Sequence, residues 1–325
     1  MKMAQHFLLS TKARSLSLLS VMRMTDDEAY EVFKGIRWAA NDGDAICPRC
    51  GCCAAYEYKA RKIYKCKGCE RQFSVTTDTV FASRKMAIRD ILAAIAIFVN
   101  GAKGISALQL SRDLNCQYKT AYVLAHKLRE AMGMEVESLS MEGAVEVDGA
   151  YFGGYVKQEN RKEDRKDRRL KENQTGKRAV VVVLRERNGR TLPKVFKSEA
   201  ASLDFIKSRV QPGSTVYADE ASGWDALHAM FDTRRINHSV QFADEDACTN
   251  QAESFFSRLR RAEIGTHHHV SGKYLQAYAN ENAWREDYRR VSNGEQFAMV
   301  VGAALSNGVS RQWKGYWQRA ARVVS

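Results

Sequence analysis

The spacing of apolar positions changes near the middle of the chain. Before about residue 135, apolar residues recur at the three- and four-residue intervals of one helical face; beyond 140 they alternate, or run unbroken over short stretches, as strands do. Helices are predicted over 86–100, 106–114 and 117–132. Gly101 and Gly104 close the first, and Ser106 with Gln109 three residues on forms a capping box that opens the second. Leu114, Asn115 and Cys116 make a short turn, after which Ala121, Leu124, Ala125 and Leu128 give the third helix an apolar stripe. The pattern is that of a helix-turn-helix, with a small helical bundle as the plainer alternative. Gln117, Tyr118, Lys119 and Tyr122 fall at the start of the third helix, where such helices meet base edges and phosphates.

Beyond the hinge at 135–141, the run AVEVDGAYFGG predicts a strand over 144–152 that ends in paired glycines. A valine-rich strand follows over 179–187, a third over 192–196, and a helix over 199–210. Pro212 and Gly213 then introduce a short strand, 215–218, which delivers Asp219 at its end. Three strands, a helix, a strand and further helices define an α/β domain, and that order fits an RNase H-like mixed sheet flanked by helices. In such a topology the first and fourth strands are neighbours, so Asp148 and Asp219 can share a site. Aspartate is unfavourable inside a strand, which points Asp148 toward function. Asn250 and Glu253, three apart on a later helix, share one face and offer a third ligand for a pair of Mg²⁺ or Mn²⁺ ions.

The cysteines add a second kind of chemistry. Cys47 and Cys50 form one CxxC knuckle and Cys66 and Cys69 another, fifteen residues apart, which is zinc-ribbon spacing. Gly51 and Gly68 permit the tight backbone, and Tyr56, Tyr58, Tyr64 and Phe73 suggest short strands that depend on the metal. Cys52 or Cys53 could take the place of Cys50, although CPRCG makes the better knuckle. A structural zinc marks a module without naming a reaction.

Composition narrows the partner. The 325 residues carry a net charge of +13 with 45% hydrophobic residues and only three prolines, so the chain can bury real cores and draws polyanions, nucleic acid first. The apolar run 91–99 is far too short to span a bilayer, and Lys12 and Arg14 interrupt the only stretch that imitates a signal peptide, which predicts a cytoplasmic protein. The run 157–178 mixes ten basic with five acidic residues; it reads as a solvated loop able to clamp DNA. Trp224, Trp284 and Tyr288 lie in apolar helical patterns and read as packing residues.

Taken together, the segments FKGIRW (33–38), CPRCG, CKGC, EVDGAYFGG, VYADEASGW and TNQAESFFSRLRRAEIGTHHHVS (249–271) resemble bacterial insertion-sequence transposases of the zinc-ribbon kind, which have an RNase H-like catalytic domain. The resemblance implies an Asp, Asp, Asn or Glu triad and a following basic residue, here Asp148, Asp219, Asn250 and Arg260. That family often has lysine where this chain has Arg260, and metal chemistry favours the charged Glu253 over Asn250, so both remain candidates. His267, His268 and His269, as adjacent residues, point apart and make a poor metal site; their GTHHHVS context implies a loop near the DNA end, with His268 placed to meet phosphate.

The implied organisation is an N-terminal helical segment (1–40), a zinc ribbon (41–82), a helix-turn-helix (83–135), a catalytic domain (140–292) and a C-terminal helix with a basic tail (293–325). The implied activity is Mg²⁺-dependent cleavage and strand transfer of double-stranded DNA at terminal inverted repeats. A homodimer or larger assembly on DNA in the nucleoid is implied as well. The rivals are a DNA-binding regulator that has lost cutting, and a nuclease that hydrolyses without joining.

Overall fold

The computed structural model describes residues 7–154, 159–167, 170–173, 175–219, 222–236, 249–310 and 312–316. Its elements begin with α1 (Leu18–Arg23), α2 (Asp26–Arg37), β1 (Ala55–Tyr58), β2 (Ile63–Cys66), β3 (Gln72–Phe73), α3 (Ile88–Asn100), α4 (Ala107–Asp113) and α5 (Tyr118–Glu137). They continue with β4 (Ala144–Phe152), β5 (Ala179–Glu186), β6 (Thr191–Phe196), α6 (Leu203–Arg209), β7 (Thr215–Asp219) and β8 (Asp232–Ile236). The last three are α7 (Asn250–Ala262), α8 (Leu275–Asp287) and α9 (Asn293–Ser306). Packing divides the chain into two units, 1–132 with 288–325, and 133–287.

In the first unit, α2 opens with a complete capping box: the Glu28 N–H donates to the Thr25 hydroxyl at 3.2 Å while the Thr25 N–H donates to the Glu28 carboxylate at 2.7 Å. The helix buries Ala29, Tyr30 and Phe33. Trp38, just beyond it, sets its ring edge on Tyr64 at 5.3 Å, and Tyr64 stacks on Phe73 at 5.5 Å, so α2 shares an aromatic core with the antiparallel sheet β1-β2-β3. Helix α3 buries nine side chains around its circumference, and α1, α2 and α9 pack about it. A helix apolar on every side belongs inside a core. Among the described residues no helix is long and apolar enough to cross a membrane.

The Ser106 hydroxyl accepts the Gln109 N–H at 3.1 Å to start α4, and Asn115 takes a left-handed conformation (φ 47°) in the turn to α5. Helix α5 runs to Glu137, past the expected end at 132. Gly133, of a residue type that ends many helices, sits inside this one, where an added Cβ would lie 2.8 Å from Asn280 Nδ2; it is a close-packing glycine.

In the second unit five strands lie in the order β6-β5-β4-β7-β8. The pairs β4–β5 and β5–β6 are antiparallel, β4–β7 and β7–β8 parallel. Val180–Leu184 of β5 are wholly buried, α7 packs on β4 and β5, and α8 packs on β6. The sheet is therefore mixed and flanked by helices. Trp224 and Trp284 are buried, whereas Tyr288, in the first unit, is half-buried.

Two elements of the second unit also differ from expectation. The helix expected over 199–210 starts as a 3₁₀ turn, Ala200–Ser202, before α6. Strand β8 was not expected at all, because its sequence DTRRI is mostly polar; Arg235 instead earns its place at the sheet edge by donating to the Asp219 carbonyl at 2.9 Å and pairing with Asp225. The end of α8 is locked to the β5–β6 hairpin through buried Asp287, which accepts from Arg185 at 2.9 Å, from Arg190 at 3.0 Å and from the Thr191 hydroxyl at 2.6 Å.

Candidate active site

Four sulfurs converge in the first unit. The ligand atoms of Cys47, Cys50, Cys66 and Cys69 all lie within 4.8 Å of one another, with Cys47–Cys69 and Cys50–Cys66 separations of 3.6 Å. The cluster takes in Cys50 and neither Cys52 nor Cys53, whose sulfurs lie 3.7 Å from the Ala54 carbonyl and 3.8 Å from the Gly51 carbonyl. The Cys69 and Gly68 N–H groups point at Cys66 Sγ at 3.5 and 3.3 Å. The Cys69 N–H is the main reason that the Cys66 thiol is drawn down to about 6, toward the thiolate that zinc requires. Soft donors in this number and closeness fit a structural Zn²⁺.

Carboxylates gather in the second unit by a different route. Val147 on β4 pairs with Ala218 on the parallel strand β7, which sets Asp148 beside Asp219 one step further along. Strand β7 ends there, so the two acids stand at a notch beyond its carboxyl end, where α/β sheets hold ligands. Burial first, and then the charges of Asp219, Glu253 and Glu199, push Asp148 up to about 7, against the Gly149 N–H that donates to it at 2.7 Å. Among the described residues only the cysteine sulfurs form a group of three or more His, Cys, Asp or Glu ligand atoms as close as 4.8 Å. The carboxylates feel one another's charge without meeting at one point. Their hard oxygens, with the side-chain carbonyl of Asn250 three residues before Glu253 on α7, are the donor chemistry that Mg²⁺ takes.

Helix α7 reaches this notch through a residue that sequence reasoning missed. Glu146 lies two positions before Asp148 on the same face of β4 and is 1% exposed. One of its oxygens accepts the Gln251 and Ala252 N–H groups at 2.9 and 3.0 Å, and the other accepts Arg187 Nε at 3.2 Å. The Arg187 guanidinium in turn lies 3.8 Å from the centroid of the Tyr217 ring. Glu146 thus acts as the cap of α7, which the preceding Thr249 side chain does not supply. The first turn that it anchors carries Asn250 and Glu253, both exposed, with Glu253 accepting from Thr249 Oγ1 at 3.4 Å and close enough for Asp148 to feel its charge. Arg260, two turns on, is exposed and lies 6.0 Å over the Phe152 ring at the end of β4. A glutamate inside a strand was a readable sign, by the argument already applied to Asp148.

A second missed residue is Glu199, which stands just before the 3₁₀ turn. Burial and the charge of Asp219 raise its pKa, and burial with the charge of Glu199 raises that of Tyr151. Two glycines, Gly149 and Gly223, lie against its side chain.

Of the residues expected to meet DNA, Gln117, Tyr118 and Lys119 are exposed at the start of α5, while Tyr122 is half-buried, its ring 4.5 Å from His126 and 5.9 Å from Trp313. Lys119 also lines a cavity of about 380 Å³ with Arg84, Lys85, Lys127 and Lys314. His267 packs edge-on to Tyr278 at 4.7 Å, and His268 is exposed with φ 58°. In the basic run 157–178, residues 159–167 and 175–177 are exposed, and 157, 158, 168, 169 and 174 lie outside the described residues, as do 311 and 317–325 of the basic tail.

Comparison with known proteins places both sites in context. Residues 140–287 match the family model of the ISXO2-like transposase domain, and residues 24–72 match that of the transposase zinc-ribbon domain. The chain is 25% identical over 295 residues to an uncharacterized protein in transposable element ISH50 of Halobacterium salinarum, an alignment that covers 87% of this chain and 98% of that one. It is 30% identical over 87 residues to an uncharacterized transposase-like protein of Haemophilus influenzae, covering 26% of this chain and 70% of the other.

Proposed function

Since the chain belongs to the insertion-sequence transposases of the zinc-ribbon kind, we propose that it binds the terminal repeats of its own element, cleaves the ends and transfers the freed 3′-hydroxyls into target DNA. The observation that carries this reading is the pairing of β4 with β7 that sets Asp148 beside Asp219, with the first turn of α7 anchored to β4 by Glu146. The sheet order, with antiparallel strands on one side of β4 and parallel strands on the other, supports an RNase H-like catalytic domain.

Asp148 and Asp219, with Asn250 or Glu253 from α7, would hold the divalent ions. Bound there, two Mg²⁺ ions would supply charge for in-line attack of a water or 3′-hydroxyl oxygen on phosphorus and for departure of the 3′-oxygen. Arg260 would fork a phosphate with two parallel N–H donors. Helices α4 and α5 are read as the helix-turn-helix, with Gln117, Tyr118 and Lys119 toward double-stranded DNA. The five-cation cavity beside Lys119 favours a path for the phosphate backbone there. Joining two ends in one event calls for two copies or more on DNA.

The test is strand transfer in Mg²⁺ on the element's terminal-repeat DNA, comparing the wild type with Asp148→Asn and Asp219→Asn. Joined ends from the wild type, and bound but unjoined DNA from both variants, are the expected result. Hydrolysis without joining would replace the proposal with a nuclease; binding without any cutting by all three would replace it with a regulator.

A further inference from the structure

We infer that the cavity beside Lys119 takes one unpaired nucleotide of a DNA strand, its base lodged inside and its phosphate held at the rim. The inference rests on the reading that α5 meets DNA. It adds a contact with a base, which a passing phosphate backbone would not make.

The cavity measures about 380 Å³, and pockets that take small ligands run from roughly 300 to 1,000 Å³. It is walled by α5, the first turn of α3, the segment 81–86 and residues 313–316, all of the first unit. Its lining is graded from inside to outside. Phe81, Leu124 and Trp313 are buried, and the half-buried Tyr316 sets its ring 4.9 Å from that of Trp313. Arg84, Lys85, Lys119 and Lys314 are exposed. Apolar and aromatic surface therefore lies within, and positive charge lies at the rim. Of the sixteen lining residues five are basic and none is acidic, so the occupant that fits is an anion with an apolar part.

The cations are poorly served without one. Lys127 Nζ donates to the Val80 carbonyl at 2.7 Å and Arg84 Nη1 to the Met86 carbonyl at 2.6 Å, both neutral acceptors. Burial lowers the pKa of both groups, by more than the charge of Glu130 raises that of Lys127. A phosphate at the rim would relieve that cost, but a backbone path uses the cations alone and leaves the apolar recess facing water. A nucleotide joins the two needs, a flat base for the recess and a phosphate for the rim. In a duplex the base is stacked out of reach, so the nucleotide that enters is one that has left the stack.

The experiment compares binding of the zinc-loaded full chain, by fluorescence anisotropy, to two labelled single strands of equal length and charge: a thymidine oligonucleotide and its abasic counterpart. The wild type is expected to bind the base-bearing strand roughly tenfold tighter. Tyr316→Ala should lose that preference and keep its affinity for the abasic strand, and Tyr316→Phe should restore it. Equal binding of the two strands by the wild type overturns the inference and leaves the DNA reading of α5 standing; binding of neither strand, nor of duplex, overturns both. A preference that survives Tyr316→Ala means that bases are met elsewhere, and it also overturns the inference. Should Tyr316→Ala fail to fold, Ala82→Leu combined with Thr120→Leu decides by the same comparison, because it fills the cavity from two walls and keeps every cation; an unchanged preference counts against the inference. Thymidine monophosphate is the last arm: displacement of the strand at equal concentration would make this a site for free nucleotide and overturn its assignment to DNA.

Discussion

The cysteine cluster and the carboxylate notch are both built from charged or chargeable ligands, and they are assembled in opposite ways. The four sulfurs come from 23 consecutive residues, 47–69, and already stand within 4.8 Å of one another. The carboxylates come from β4, the turn before α6, the end of β7 and the start of α7, and they stop short of a common point. Thiols can crowd while they keep their protons, whereas carboxylates at neutral pH repel unless burial keeps one protonated. Asp148, pushed up to about 7, has been driven part of that way. The ribbon is a site that makes its own fold, and the notch is a site that a fold holds open.

The largest expected effect breaks the first half of that contrast. Structural zinc contributes about 10–16 kcal/mol in small ribbon- and finger-like peptides, and the sheet β1-β2-β3 has strands of only four, four and two residues. Chelation, or Cys66→Ser, should release one zinc per chain and expose the β1–β3 amides to exchange at the rate of an unfolded segment. The β5 amides should stay protected. Cys52→Ser and Cys53→Ser should keep the zinc. Ribbon amides that remain protected after the metal has gone would mean that the aromatic core of Trp38, Tyr64 and Phe73 holds the sheet unaided.

The notch should answer to pH instead. A carboxyl whose pKa is higher folded than unfolded contributes stability below its unfolded value and loses it as pH rises through the folded one. For Asp148 the window runs from 3.8 to about 7. Across it the metal-free second unit should lose about 4 kcal/mol of stability from this group. Asp148→Asn, which cannot ionise, should flatten that slope and should be the more stable protein at pH 8 in chelator. Denaturant unfolding followed by exchange of the β4 and β5 amides from pH 4 to 8 measures both; parallel slopes in the two proteins would remove Asp148 as the source.

The same contrast explains what could be read from sequence. Cys47, Cys50, Cys66 and Cys69 are legible because spacing alone brings them together. Asp148 and Asp219 are legible because strand order makes their strands neighbours. Glu199 is not, since its approach to Gly149 and Gly223 joins segments some 50 and 24 residues away, and only the packed sheet shows that those glycines clear the same side chain. Strand β8 escaped because edge strands satisfy one side of the ladder with solvent and tolerate the arginines of DTRRI. The full length of α5 was not legible for a related reason: the residue type that ends helices also lets them pack closely, and at Gly133 only Asn280 on the far side of the contact decides between the two.

The smallest of these effects concerns Glu146, which has the carboxylate chemistry of the notch and the structural office of the ribbon. It is buried two residues from Asp148, yet its oxygens are taken by Gln251 N–H, Ala252 N–H and Arg187, so it fastens a helix where Asp148 faces other acids. Glu146→Ala removes the anion from the positive end of α7 and leaves two N–H groups and a guanidinium to find water, at a cost of about 3 kcal/mol. Glu146→Gln keeps an acceptor for the helix and gives up the charge, so it should cost about half as much. The location of the damage is more telling than its size: Gln251 and Ala252 should lose protection from hydrogen exchange first, while Asp148 and Asp219 stay in register on β4 and β7. Loss of protection across the whole sheet would mean that Glu146 belongs to the general core. Loss confined to the start of α7 would establish that Asn250 and Glu253 are held over the notch by this one buried carboxylate.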